Sequence, residues 1–389
     1  MEAGSAQRPS SAVRQAATTC LLRLRDKTLV QRCGRLSPRA AMRAAAAVLA
    51  PEDIRRSAAW VVQGAEPEQG GWDGLEGIHG APAAQAGVWP GTGHVSAWPL
   101  WFRETRAQAQ KPLLYMLHSS SLAGLHAALD ESRQRGVFFN EAEIRASAWP
   151  KSVQPALPLW LSSSMVGVPY DPASGAEVLA MLRVALRWVY VDGKADFVYF
   201  SMHDDAIASA ALPWRQAWQA FKGMYRLSGP LPPHTAGVRL LGAGRTLGAV
   251  RQAAALLADD WGVASEVWSC PSYTRLARDG HAAERWNLLH PRARPKSAHI
   301  HECLAGSRMP VIAVTGYSHF IAAQIGAFVP GRFQALGADS LRTAGEGAGT
   351  ALEARWIVVK ALMSLVADGF LPPVVIQQAL QRYQPGQSD

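Results

Sequence analysis

The stretch VRLLGAGRTLGAVRQAAALLADDWGVASEVWSC, residues 238–270, decides the fold class. VRLLG is a short apolar run, TLGAVRQAAALLADDWG is long enough for a helix, and VASEVWSC is a second apolar run. A strand, a helix and a strand in succession imply a right-handed crossover that returns the second strand parallel to the first. The alternation continues downstream: PVIAVTG (310–316) predicts a strand, SHFIAAQIGAFVP (318–330) a helix and RFQALG (332–337) a last short strand, followed by helices over 351–367 and 371–383. Upstream, KPLLYML (111–117) reads as a strand and SLAGLHAALDESRQRG (121–136) as a helix closed by Gly136. VGVPYDPA (166–173) is a strand and turn, with a helix from Ser174 to Tyr190 carrying an apolar stripe of Val178, Leu179, Leu182, Leu186, Val189 and Tyr190. DFVYFSM (196–202) supplies a buried strand. The pattern gives an α/β chain with mostly parallel sheets, in two α/β domains divided near residue 232, within the Pro- and Gly-rich SGPLPPHTAG.

Length and composition agree: 389 residues, 49% apolar and 18% charged, suffice for two or three buried cores. The net charge of +9 is unevenly placed. Residues 1–50 hold eight Arg and Lys27 against Glu2 and Asp26, which accounts for +7 of it. The remaining 339 residues carry 30 basic against 28 acidic side chains, a near balance that disfavours a nucleic-acid-binding core. No apolar run is long enough to span a membrane. Cys20, Cys33, Cys270 and Cys303 are too scattered for a disulfide framework, and a reducing compartment is expected, the cytoplasm. Four segments follow: a basic Ala/Arg-rich leader (1–63), a Gly/Pro/Trp-rich linker (64–110), and domains over 111–231 and 232–389. The leader reads either as a mitochondrial transit peptide or as an alanine-rich helix with a disordered arm, dispensable for the fold in both readings.

Three constellations carry chemistry. Gly242-Ala243-Gly244 with Gly248 lies between a strand and a helix, where backbone amides can meet a phosphate, but the spacing is one residue too long for a dinucleotide fingerprint. Glu266 falls inside the next strand instead of at its end, and a tight turn into a packed helix is expected. His203-Asp204-Asp205 ends the strand DFVYFSM, where parallel sheets place their catalytic groups, and an imidazole beside carboxylates suits general acid–base work. Neighbouring residues on a strand face opposite ways, so at most two of the three converge. His299, His301 and Cys303 share one face if SAHIHECL is extended, a set suited to zinc or copper but lacking a fourth ligand, so no metal site is assigned. GxSxG, GxxxxGK[ST] and HExxH are absent from the sequence.

The 238–270 stretch, RLARDGHAAERWNLLHP (275–291), ECLAG (302–306) and VPGRFQALGAD (329–339) closely resemble the C-terminal domain of the homodimeric, bacterial-type decarboxylating component of pyruvate dehydrogenase, a thiamine-diphosphate enzyme of the transketolase superfamily. The similarity includes non-periodic residues such as Glu284, Arg285, Trp286 and Asn287. YDPASGAEV (170–178), FKGMYRL (221–227) and, more faintly, residues 113–136 follow that family's pyrimidine-binding domain. The resemblance implies a transketolase-like pair of α/β domains, with the family's diphosphate-binding domain missing, and a dimer.

It also implies where the cofactor residues belong. The family's Gly-Asp-Gly motif, which with a downstream Asn holds magnesium, has no counterpart in the sequence. Thiamine diphosphate and magnesium therefore enter only if a partner chain supplies the diphosphate-binding domain. The glutamate that protonates the aminopyrimidine aligns with Gln85 or a neighbour, and the ring-stacking aromatic with the neighbourhood of Leu117 and Ser119. An amide cannot shuttle that proton. The family's Asn-Glu-Asn-Tyr strand end has become His203-Asp204-Asp205-Ala206. Three readings stay open. The chain is a diverged partial subunit acting with a thiamine-binding chain on a 2-oxoacid or acyl substrate, as a homodimer or hetero-oligomer; or a catalytically silent scaffold, a pseudoenzyme; or a thiamine-independent enzyme using His203, Asp204 and Asp205 with His118 or Glu131.

Overall fold

The computed structural model describes residues 9–51, 56–64, 88–91, 111–118, 122–132, 135–141, 156–164, 167–195, 197–229, 237–340 and 354–383. The chain divides into two compact units, one of residues 1–145, 163–168 and 174–212, the other of 146–162, 169–173 and 213–389. Each is an α/β unit built on one sheet.

The first unit contains α1 (Ser11–Arg23), α2 (Lys27–Cys33), α3 (Pro38–Leu49), β1 (Trp60–Gly64), β2 (Val88–Gly91), β3 (Leu113–Leu117), α4 (Leu122–Glu131) and β4 (Gly136–Asn140). After α5 (Ala156–Ser163), almost all of which is grouped with the second unit, and β5 (Val168–Tyr170), which the division crosses, come α6 (Gly175–Leu186), a π-helical turn (Arg187–Val191) and β6 (Phe197–Ser201). The sheet order is β2-β1-β3-β4-β6-β5, and β2, β1, β3, β4 and β6 pair in parallel. Every residue of β3, β4 and β6 is buried, so both faces of the sheet are covered, as parallel sheets require. Aromatic rings lock neighbouring strands, with Tyr115 stacked on Phe138 at 5.6 Å and Phe139 on Phe200 at 5.3 Å.

The expected leader is part of this unit. Ser10, Asp26 and Ser37 cap α1, α2 and α3 with side-chain oxygens, and Pro38 opens α3 with its φ already set. Alanines make these helices slender, and they bury Val13, Ala17 and Cys20 on α1 and Ala41, Met42, Ala45 and Leu49 on α3. α3 lies along α6, whose residues are almost all buried. Gly175 opens α6 at the closest approach: a Cβ there would stand 2.5 Å from the Cys33 carbonyl oxygen and 2.7 Å from Ala41 Cβ. The basic residues misled because high charge in an alanine-rich stretch reads as solvated, although each helix hides a narrow apolar stripe. The expected linker begins with the end of β1 and contains β2, parallel to it; its other residues lie outside the described ones.

The second unit continues with α7 (Trp214–Phe221), β7 (Tyr225–Arg226), β8 (Gly237–Gly242), α8 (Thr246–Trp261), β9 (Ala264–Ser269), α9 (Tyr273–Leu289), α10 (His299–Leu304), β10 (Val311–Val314), α11 (His319–Ala323), β11 (Phe333–Leu336), α12 (Ala354–Ala367) and α13 (Val374–Tyr383). Its sheet order is β11-β10-β8-β9-β7, parallel except for the β7–β9 pair. The stretch 238–270 forms β8, α8 and β9 as read, and Gly262 ends α8 in the left-handed conformation, φ +62°. The sheet holds a buried ion pair, Arg239 Nε to Glu266 Oε2 at 2.9 Å, with Arg239 also donating to the Leu304 carbonyl at 2.8 Å.

Three expectations change. Gly136 begins β4 instead of ending a helix, because Val137, Phe138 and Phe139 are all drawn into the sheet. The helix expected over 318–330 stops at Ala323, with a short 3-10 turn at Gly326–Phe328. The division is discontinuous, with its last crossing at 212/213 where one near 232 is expected, and β7, paired antiparallel with β9, is grouped with α7 in the second unit.

Deleting residues 1–50 is expected to unfold the first unit by stripping the cover from α6, in contrast to the dispensability that composition suggests. Limited proteolysis should then leave only fragments of the second unit. Gly175→Val should destabilise the chain by about 2 kcal/mol or more by overpacking, read in thermal denaturation.

Candidate functional site

The parallel strands of the first unit bring three chain segments to one edge. His118 follows β3, Glu141 follows β4, and Met202, His203 and Asp204 follow β6. The ladder runs on past the strands, with Glu141 N–H donating to the Leu117 carbonyl and Met202 N–H to the Asn140 carbonyl, each at 2.9 Å. Chain order reverses between β1 and β3, so this carboxyl edge next to His118 is also the topological switch point of the sheet, the usual position of a ligand crevice.

α3 reaches over the same edge. Arg39 N–H donates to the His203 carbonyl at 3.2 Å, which fixes the helix N-terminus against the end of β6. Arg39 and Arg43, one helical turn apart, both turn their guanidinium groups to Glu141. Arg39 Nε lies 2.9 Å from Glu141 Oε2; Arg43 Nε lies 3.0 Å from Oε1 and its Nη2 lies 2.6 Å from Oε2. Arg39 Nη1 reaches Asp204 Oδ2 at 2.9 Å, and the Ser37 hydroxyl that caps α3 donates to Asp204 Oδ1 at 3.3 Å. His118 Nδ1 stands 3.8 Å from Glu141 Oε2. The Glu141 side chain is 1% exposed, Arg39 24% and Arg43 42%, so the carboxylate sits at the bottom and the cations reach toward water. Although burial alone lowers the Arg39 pKa, its bonds to Asp204 and Glu141 outweigh that and raise it.

The structure thus brings Asp204 and His118 into one network with His203 buried alongside, while Asp205 is exposed. Leu117 is buried within β3. Glu131 ends α4, and nothing of its side chain is described; Gln85 and Ser119 lie outside the described residues. Composition hid Ser37, Arg39, Arg43 and Glu141. The usable signal was Ser-Pro followed by two arginines four apart, a capped helix with one cationic face, together with the acid directly after the apolar GVFFN.

Chemically the network is a closed brace. Both oxygens of Glu141 accept guanidinium hydrogen bonds, and Asp204 is shared between Ser37 and Arg39, so both carboxylates hold α3 against the sheet edge. The aminopyrimidine of thiamine needs a carboxylic acid with an oxygen to spare and an aromatic face. At this edge the described residues offer Glu141, held by three guanidinium hydrogen bonds, and the aliphatic Leu117, while Gln85 and Ser119 lie outside the described residues.

In the second unit Gly244 takes φ +51° at the start of α8, with the Asp171 carboxylate packed directly against its Cα where a Cβ would stand. An anion of the chain itself occupies that turn, and it is a packing device, not a phosphate cradle. His299, His301 and Cys303 do not share an extended face, because 299–304 is helical. His299 is buried with Nε2 2.9 Å from the Met224 carbonyl, and Cys303 follows one turn later. Among the described residues no cluster of three or more His, Cys, Asp or Glu side chains could hold a metal ion. At the ends of β10 and β11, Asp339 accepts the Ser318 hydroxyl at 2.6 Å and the His319 N–H at 2.8 Å. Burial pushes Asp339 up, but these bonds and the His319 imidazole prevail and hold its carboxyl below the usual range.

Residues 223–344 match the family model of the transketolase-like C-terminal domain. The chain is 35% identical over 224 residues to the pyruvate dehydrogenase E1 component of Pseudomonas aeruginosa, covering 55% of this chain and 25% of that protein. The pyruvate dehydrogenase E1 component of Mycolicibacterium smegmatis is 31% identical over 271 residues, covering 67% of this chain and 29% of that one. The chain therefore spans about a quarter of the length of the curated relatives it matches. The transketolase of Campylobacter jejuni superposes with a TM-score of 0.50 at 14% identity, over 94% of this chain and 51% of that structure, and shares the fold. Among the described residues no helix is long and apolar enough to cross a membrane.

Glu141→Gln should destabilise the chain by about 2–3 kcal/mol, less than for a fully buried pair because the arginines keep partial access to water; chemical denaturation measures it. Burial lowers the pKa of His299 from its ordinary 6.5, helped by Lys222 and opposed by its bond to the Met224 carbonyl. The unfolded chain then binds a proton that the folded chain refuses, so stability should fall as pH drops below 6.5, and His299→Gln should flatten that slope in denaturation series.

Proposed function

We propose that this chain is a diverged subunit of a pyruvate dehydrogenase E1-like assembly, acting with a separate thiamine-binding chain on a 2-oxoacid or acyl substrate. The observation that carries the reading is the similarity to the E1 component, 35% identity confined to a quarter of that protein. Such a subunit keeps the fold of its relatives and leaves thiamine diphosphate and magnesium to a polypeptide with the Gly-Asp-Gly motif. The braced Glu141 supports this division of labour, because its two guanidinium partners tie it to α3 as a structural carboxylate. In this reading the first unit contributes shape and rigidity to the assembly, and reaction chemistry resides on the partner. We place the chain in the cytoplasm, a reducing compartment that suits its free cysteines.

The same brace favours a catalytically silent scaffold as the second reading. It weighs against a thiamine-independent enzyme, since Asp204 is spent on α3 and Asp205 faces water. The two favoured readings part on activity.

Calorimetric titration of thiamine diphosphate and magnesium into the purified chain should give no saturable binding. Affinity purification from the native host should recover a Gly-Asp-Gly-bearing polypeptide in stoichiometric amount, and the pair should decarboxylate a 2-oxoacid. Saturable binding to the chain alone overturns the assignment of the cofactor to a partner. A recovered complex without turnover points to the scaffold, and turnover that His203→Ala or Asp204→Asn abolishes in the folded chain points to the repurposed enzyme.

A further inference from the structure

α9 ends in a surface that the core of its unit does not use. The helix buries Tyr273, Thr274, Leu276, Ala277 and Gly280 on one side, whereas Leu288 and Leu289 at its end are 80% and 62% exposed. Residues 290–297 are all exposed as well, an unusual run for a loop so firmly held. Asn287 closes it, accepting the Lys296 N–H at 2.7 Å and donating to the Lys296 carbonyl at 3.0 Å. The Trp286 ring carries the Lys296 ammonium 4.5 Å from its centroid and the His290 ring stacked at 4.6 Å. Fixing a segment that buries none of its own side chains gains nothing for the core, but it lowers the entropy lost when a partner binds. Arg285, one helical turn before the leucines, and Arg292 and Arg294 beyond them are exposed and make no ion pair among the described residues. The nearest acid along the chain, Glu284, faces His281 at 3.5 Å.

We propose that this surface docks an acidic segment of a partner polypeptide, with aliphatic side chains seated on Leu288 and Leu289 and carboxylates facing Arg285, Arg292, Arg294 and Lys296. Charge complementarity selects the partner: an apolar centre ringed by unpaired cations matches an apolar segment ringed by carboxylates. Nucleic acid is the poorer fit, because Trp286, the aromatic group here, is already engaged by His290 and Lys296 and the leucines offer phosphate nothing. An anionic membrane is the poorer fit too, because two leucines are a small apolar face for anchoring. The docking face deepens the assembly reading above but involves no thiamine, so its failure leaves the cofactor titration to be judged by itself.

The test uses the full chain and fluorescence anisotropy of a labelled helical peptide with Leu along one face and Glu on the flanks. Binding should weaken steadily with added salt, Leu288→Ser with Leu289→Ser should weaken it roughly tenfold, and Arg292→Glu with Arg294→Glu should remove it. Both variants alter exposed side chains, and unchanged thermal unfolding will show that they fold. Binding that neither variant changes sinks the proposal. So does equal or tighter binding of phosphatidylserine-containing vesicles or of duplex DNA, and so does a homodimer in sedimentation that the leucine variant dissociates, since a second copy would then be the occupant.

Discussion

A carboxylate buried at the end of a parallel sheet loses its hydration, and the loss is several kcal/mol unless charged donors replace the water. Glu141 gets its replacement from Arg39 and Arg43, two side chains of one helix that lies a hundred residues earlier in the chain. That demand organises the first unit. α3 must sit with its N-terminus over β4 and β6; Ser37 must cap it where the cap can also reach Asp204; and the chain before β1 must be helical to deliver it. The brace ties sheet edge to helix at several points of contact, so the edge where open α/β sheets ordinarily receive ligands is held by the protein's own charges.

The second unit rests on a different device. Its charged pair, Arg239 and Glu266, lies within the sheet, joining neighbouring strands and the carbonyl of Leu304 that ends α10. The turn that looks like a phosphate loop is closed by Asp171, so here too a side chain of the protein stands where a ligand anion could have come. Both units place side chains of their own where open α/β sheets ordinarily receive ligands. Fold and chemistry separate easily in this way, because packing depends on apolar faces and turns, whereas a site depends on a few polar side chains at strand ends.

Alternation in 238–270 was enough to read the second unit, because strand, helix and strand there follow one another with short turns and clean apolar runs. The edge of the first sheet was harder. β4 was masked by Gly136, which after a helical stretch reads as a terminator although it also suits the start of a buried strand. The histidine pair at 299 and 301 showed alternation over too few residues to tell a strand from a single turn of helix. The strand-end triplet was legible as a position and not as a role: that His203, Asp204 and Asp205 end β6 follows from local pattern, while the partner of Asp204 comes from α3, a contact across 165 residues that no spacing rule reports.

The basic N-terminal segment joins these threads. Taken as composition, +7 in fifty residues is an appendage, and it pointed to an address or an arm. In three dimensions two of those charges neutralise a buried acid and a half-exposed one, and the alanines between them let α3 approach α6 closely enough for Gly175 to have no room for a Cβ. Charge and smallness therefore serve one end: small residues bring the helix in, and the arginines at its start meet the carboxylates that approach uncovers. The segment that looked least like part of a domain is the one that closes the carboxyl edge of the first sheet, since Arg39 and Arg43 supply the charged donors that the buried Glu141 would otherwise lack.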